Sequence, residues 1–242
     1  MNEAVLAAIA FLGALIFGVT GFGSALVTIP LATQLVPLKF ALALFALVDL
    51  CCAFSVGLEN PKNAVKQEWT RLVPMILAGT ALGVTVLVNL PRAAGMLLLG
   101  AFIVSYALYS LLRRAPMKVI DSRWAWLAGL CGGITSTLFG AGGPPYAIYL
   151  SQRGLTKEQF RATMGLATMC SISIRVAVFF ITGMLLVPAV WMAVLFAVPA
   201  ALLALFIAKR LVHRISREAV LRAVALILLL SGSALILRAI HA

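Results

Sequence analysis

Long apolar runs separated by short basic stretches dominate this sequence, and glycine breaks interrupt two of the places where a run should continue. The runs cover residues 4–19, 24–36, 40–58, 72–90, 93–112, 124–139, 144–150, 160–183, 187–208 and 219–237. A helix rises 1.5 Å per residue and needs about 20 residues to cross the hydrocarbon core of a bilayer. Segments 4–19 and 124–139 reach only about 24 Å each, and 144–150 about half of that. In both places a short helix is followed by a glycine-rich break and then by another short helix. That pattern describes a hairpin that enters the membrane and returns.

Composition excludes the other classes. Hydrophobic residues make up 63% of the 242 and charged residues 11%, against about 45–50% and about 25% in soluble domains. A water-soluble globular enzyme is therefore excluded. Lys and Arg number 19 against 7 Asp and Glu, a net charge of +12. The basic residues lie between apolar runs, where they orient a membrane protein, and not on a nucleic-acid-binding face. The expected partners are the lipid bilayer and a small anionic substrate, with no nucleic acid; a homodimer stays open.

Cys51, Cys52, Cys131 and Cys170 lie in apolar stretches, without a C-x-x-C pair, and read as buried and inert. With His213 and His241 they cannot complete a zinc site. No G-x-x-x-x-G-K-[ST] pattern is present, so no cofactor is expected and the energy would come from an ion or substrate gradient. Segment 4–19 is preceded by Glu3 and by no Lys or Arg, so it reads as structure and not as a leader.

The two breaks resemble each other. Gly21-Phe22-Gly23-Ser24 and Gly140-Ala141-Gly142-Gly143 align at a spacing of 119 residues, as do Gly13 with Gly132 and Leu31 with Leu150. Beyond the second hairpin the offset widens to 126, and Gly57 matches Gly183. This predicts an internal repeat, residues 1–115 and 116–242, with a boundary near Arg113 to Arg123.

Lys62, Lys66 and Arg71; Arg113, Arg114, Lys118 and Arg123; Arg153, Lys157 and Arg161; and Lys209, Arg210, Arg214 and Arg217 form four basic stretches that hold 14 of the 19 cations. Placing all four in the cytoplasm makes 124–150 a hairpin opening inside and 4–36 one opening outside. Three crossings follow each hairpin, and both termini lie outside. The fold class is thus an all-α integral protein of the cytoplasmic (inner) membrane with two inverted-topology repeats. Secondary transporters use this architecture, with the substrate site at the repeat interface near the midplane.

Helix breaks inside a bilayer leave backbone groups that protein or water must satisfy. Glycine tolerates φ > 0 and lets a ligand approach the backbone. Pro144 and Pro145 suit the first turn of a helix whose free N–H groups and positive dipole end face the break, an arrangement that favours an anion. Ser24 could cap the equivalent helix and offer a hydroxyl. Gly79-x-x-x-Gly83, by contrast, reads as a helix-packing motif.

The stretch Gly21-Phe22-Gly23-Ser24-Ala25-Leu26-Val27-Thr28-Ile29-Pro30 and its partner Gly140-Ala141-Gly142-Gly143-Pro144-Pro145 resemble the duplicated glycine motif of the TauE/SafE family of membrane transporters. Ser24, Ala25 and Pro144 depart from its glycine pattern. The resemblance implies movement of sulfite, organosulfonates or related small carboxylate anions.

Two charges fall well inside apolar runs, each eight residues before its half's matching glycine: Asp49 and Arg175. A charge at bilayer depth costs at least about 2.5–3.5 kcal/mol and faces protein or water. Arg175 is the expected anion ligand, and Asp49 its charge balance or a carrier of a coupling proton; the alternative is a purely structural ion pair. Arg222 and Arg238 near helix ends read as snorkelling anchors. Trp69, Trp124, Trp126 and Trp191 read as belt aromatics. Thr135, Ser136, Thr137, Ser171 and Ser173 are further candidates for hydrogen bonding a substrate. The expected function is a secondary anion transporter working by alternating access, and not an enzyme. An anion channel and, less favoured, a membrane redox enzyme using Cys51 and Cys52 are the alternatives.

Overall fold

The computed structural model describes residues 3–112, 119–211 and, in the last segment, 225, 226, 228–230, 232–234, 236 and 237. Arg113, Arg114, Lys118, His213, Arg214, Arg217, Arg222, Arg238, His241, part of the expected boundary between the halves and part of helix 219–237 lie outside the described residues. The helices are α1 (Glu3–Thr20), α2 (Ser24–Ala32), α3 (Leu38–Gly57), α4 (Lys66–Asn89), α5 (Arg92–Leu112), α6 (Trp124–Phe139), α7 (Gly143–Ser151), α8 (Lys157–Ile181) and α9 (Pro188–Leu211). A 3₁₀ turn, Pro61–Asn63, precedes α4. No strand occurs among the described residues, and six of the helices are long and apolar enough to cross a membrane.

Several helices outrun the apolar segments that announce them. Lys66 and Arg71 lie in α4, Lys157 in α8, and Lys209 and Arg210 in the last turn of α9, outside the apolar runs. The apolar run marks the part of a helix that needs hydrocarbon, whereas hydrogen bonding carries it further. At α8 a capping box does this: Gln159 N–H donates to the Thr156 hydroxyl at 3.2 Å, and Thr156 N–H donates to Gln159 Oε1 at 3.1 Å.

The most extensive pairings are α4 with α6 and α1 with α9, followed by α3 with α8. Glycine makes them close. A Cβ on Gly79 would lie 3.1 Å from Gly133 Cα, and one on Gly18 would lie 2.5 Å from Ala208 Cβ. The contact of Gly79 and Gly83 with α6 is the packing role expected of that motif. Large apolar side chains such as Leu77, Leu82, Phe196 and Leu203 remain about half exposed on the outer surface. A bilayer accepts such a surface, since it offers no water to repel it.

Polar contacts gather the described parts of the basic stretches on one end of the bundle. Glu59, just beyond α3, pairs with Arg161 at 3.3 Å and with Lys209 at 2.8 Å. Arg153, just beyond α7, pairs with Glu68 of α4 at 2.9 Å, and its Nη1 donates to the Ile120 carbonyl ahead of α6. The α6–α7 hairpin therefore starts and finishes on the same end. At the other end Lys39 of α3 donates to the Val88 carbonyl of α4 at 3.3 Å. Exposed Trp124 and Trp126 stand at the start of α6, and exposed Trp191 at the start of α9.

Candidate functional site

The two glycine breaks meet. Gly21 and Gly23 have φ of +82° and +91°, and Gly140 has +71°, conformations that side-chain-bearing residues rarely adopt. A Cβ on Gly140 would lie 2.8 Å from Ala25 Cβ and 3.1 Å from the Arg175 guanidinium; one on Gly143 would lie 2.8 Å from Phe22. Bare backbone is what lets the two tips touch.

Between them is a cavity of about 20 Å³, bordered by the α2 start (Gly23, Ser24, Ala25), the 140–143 break, Asp49, Ser136, Tyr146, Thr168 and Ser171, with Phe17, Phe22 and Ile172 completing it. Space of this size holds about one water molecule. Neither helix start at the cavity has a side-chain cap: Gly23 precedes α2 and Gly142 precedes α7. The positive dipole ends of two nine-residue helices therefore converge here, with first-turn N–H groups from α2 and from Gly143 and Tyr146 of α7, Pro144 and Pro145 having none.

Asp49 and Arg175 stand face to face, 2% and 1% exposed, with Arg175 Nη2 3.1 Å from Asp49 Oδ2. Ser24 Oγ donates to Asp49 Oδ1 at 2.5 Å, and Arg175 Nη1 donates to the Ser136 carbonyl at 3.0 Å. Arg175 Nε is buried with no partner. A hydroxyl chain completes the surroundings, with Tyr146 Oη 3.0 Å from Ser171 Oγ and Ser171 donating to Ser136 Oγ at 3.2 Å.

The residues expected at the site divide by their position relative to this cavity. Phe22, Gly23, Ser24, Asp49, Gly140, Ala141, Gly142 and Gly143 line it. Arg175 stands directly behind Asp49 and Gly140, and Pro144 and Pro145 lie in the first turn of α7, off the wall. Gly21 borders a different, open cavity. Ser24 does not cap α2: Gly23 holds the cap position, and the Ser24 hydroxyl is committed to the buried carboxylate. Of the hydroxyl candidates, Ser136 and Ser171 reach the wall. Thr135 and Thr137 bond back to Cys131 and Gly133 at 2.9 Å, and Ser173 is off the wall. Tyr146 and Thr168 line the cavity without having been singled out from sequence. Tyr146 follows Pro145 directly, so extending the motif by one residue would have found it.

The model of the family described as sulfite exporter TauE/SafE matches residues 6–235. The chain belongs to the TauE/SafE family. That is a family of transporters, and together with six spanning-length apolar helices it makes the TauE/SafE chain a multi-pass membrane transporter. No curated protein and no solved structure matches the chain. The motif that carried the resemblance is thus also the part of the TauE/SafE fold that closes around the buried ion pair.

Proposed function

We propose that the chain is a secondary transporter of a small oxyanion, sulfite, an organosulfonate or a related carboxylate, working by alternating access of two inverted repeats. The observation that carries this reading is the buried Arg175, paired with Asp49 where two uncapped helix starts converge, with its Nε unpartnered. A guanidinium has five N–H donors in a planar fork suited to oxyanions. Only two of its nitrogens are engaged here.

Charge accounting supports a singly charged substrate. Arg175 and Asp49 cancel, while two helix N-termini contribute about +0.5 each. The site's own groups thus carry about one excess positive charge, which a monoanion offsets. A dianion would call for a proton on Asp49. The cavity of about 20 Å³ is smaller than any of these anions, so binding requires the tips to part and Asp49 to yield part of its hold on Arg175.

Several contacts support the inverted repeat. Matching α1 with α6, α2 with α7, α3 with α8 and α4 with α9 turns the α1–α9 pairing into the α6–α4 pairing, and α3–α9 into α8–α4. The gathered basic stretches would face the cytoplasm of the inner membrane, leaving both termini outside.

A thermal-shift screen of the purified protein against sulfite, sulfonates and small carboxylates, followed by flux in liposomes, tests the proposal. A ligand at 100 times its Kd stabilises by about 2.7 kcal/mol, and saturable counterflow should accompany the shift. No shift with any of these anions and no saturable flux would overturn it, and single-channel currents would point to a channel.

A further inference from the structure

An open cavity of about 400 Å³ lies on the same end of the bundle as the gathered basic stretches. Its wall includes Lys157 and Arg161 from α8 together with Thr20 and Gly21 from the tip of the first hairpin, and no Asp or Glu. It is some twenty times larger than the buried cavity, and its basic lining would concentrate anions. The next residue along the chain from Gly21 is Phe22, which lines the buried cavity. Consecutive residues of the hairpin tip therefore belong to the wall of one and the wall of the other.

Phe22 sits in a tightly packed apolar setting. It is buried at 6% exposure and packs in an apolar cluster with Tyr146, Met164 and Ala167. Met164 also borders the open cavity, so the cluster occupies the ground between the two spaces. Across the seam the ring rests on Gly143, where a Cβ would come within 2.8 Å of it. Left-handed glycines flank it, Gly21 at φ +82° and Gly23 at +91°, and such positions can absorb large backbone rotations. The Thr20 hydroxyl, within hydrogen-bond distance of the Phe22 carbonyl, and the Phe22 N–H, which donates to Thr20 Oγ1 at 3.4 Å, hold the tip in its closed form.

We infer that Phe22 is the gate between a basic anion vestibule and the Arg175–Asp49 site, and that the vestibule is the access route from the Lys157 side. This rests on the transport reading for its meaning, but its test needs no transported substrate. In a background with Cys51, Cys52, Cys131 and Cys170 replaced by serine, Ser171→Cys places a thiol on the buried wall and Lys157→Cys one in the vestibule. The probe is the anionic reagent methanethiosulfonate ethylsulfonate, applied to vesicles of either orientation. The vestibule thiol should label rapidly from one side, which defines the Lys157 side, and the wall thiol slowly. Phe22→Ala should raise the wall thiol's rate at least tenfold from the Lys157 side alone, and Phe22→Leu should raise it by a smaller factor. Phe22→Leu keeps apolar bulk, so it carries the test if the alanine variant does not fold. An unchanged rate in both variants, or an equal rise from both sides, would overturn the gate. Failure of the flux assay with a positive labelling result would instead overturn the transport reading.

Discussion

Removing Arg175 should destabilise the protein, and removing its partner as well should restore most of the loss without restoring transport. In the parent, Asp49 is 2% exposed and accepts from Arg175 Nη2 at 3.1 Å and from Ser24 at 2.5 Å. Arg175→Met leaves a carboxylate in the core with the Ser24 hydroxyl alone. Asp49→Asn leaves a buried guanidinium with only neutral acceptors, the Ser136 carbonyl and the new amide oxygen, and no countercharge. Breaking a buried pair from either side costs about 3–5 kcal/mol, chiefly from the uncompensated charge that remains. For a chain of this size each kcal/mol moves Tm by about 2–4 °C, so each single variant should lose roughly 6–20 °C. In Asp49→Asn with Arg175→Met no net charge stays buried, Ser24 keeps an acceptor, and stability should return to within about 2 kcal/mol of the parent. The assay is a double-mutant cycle of thermal unfolding in detergent, paired with anion flux in liposomes. Flux should be lost in both singles and in the restored double, which separates ligand binding from scaffolding. Additive losses in the double would refute the pairing argument. Transport surviving in Arg175→Met would refute the assignment of Arg175 as anion ligand.

Gly140→Ala should cost about 1–2 kcal/mol from its left-handed φ of +71° alone, and more from a Cβ placed 2.8 Å from Ala25; thermal unfolding reads the loss, and a parent-like Tm would contradict the tip-to-tip contact. Glu68→Ala should cost about 1.5–3 kcal/mol, the worth of hydrogen bonds to a charged group, because Glu68 receives Arg153 Nε at 3.0 Å and the Tyr149 hydroxyl. Arg153→Lys in the parent should also lower stability, since an ammonium cannot reproduce the fork that reaches both Glu68 and the Ile120 carbonyl. A Tm change under about 1 °C in Glu68→Ala would show that this cluster does not anchor the second hairpin.

Backbone requirements were the legible part of this chain. A helix interrupted in a bilayer must have a reason, and glycine at 21, 23 and 140 states the left-handed geometry directly. Asp49 and Arg175 were legible for a similar reason: a charge deep in an apolar run needs a partner, and equivalent offsets from Gly57 and Gly183 nominated each for the other. Helix ends were less legible. Hydropathy reports where lipid is, whereas the Thr156–Gln159 capping box and the Glu59 pairs lie outside it.

Side-chain commitments were the illegible part, and Ser24 shows why. From sequence its hydroxyl sits where a helix cap belongs, because serine before an apolar run is a common cap. In the fold, the left-handed turn at Gly23 already starts α2, so the hydroxyl is released from its own helix. It then meets a carboxylate 25 residues away that would otherwise depend on Arg175 alone. The same competition decides among the hydroxyls of α6. Thr135 and Thr137 turn back on their own helix, while Ser136, on the face toward α8, meets Ser171. Neighbouring residues of one type thus divide by helical face, since successive positions are about 100° apart on a helix of 3.6 residues per turn. The face that points inward is set by α4, which seats α6 through Gly79 and Gly83. A packing motif in one half therefore selects which hydroxyl of the other half reaches the buried ion pair.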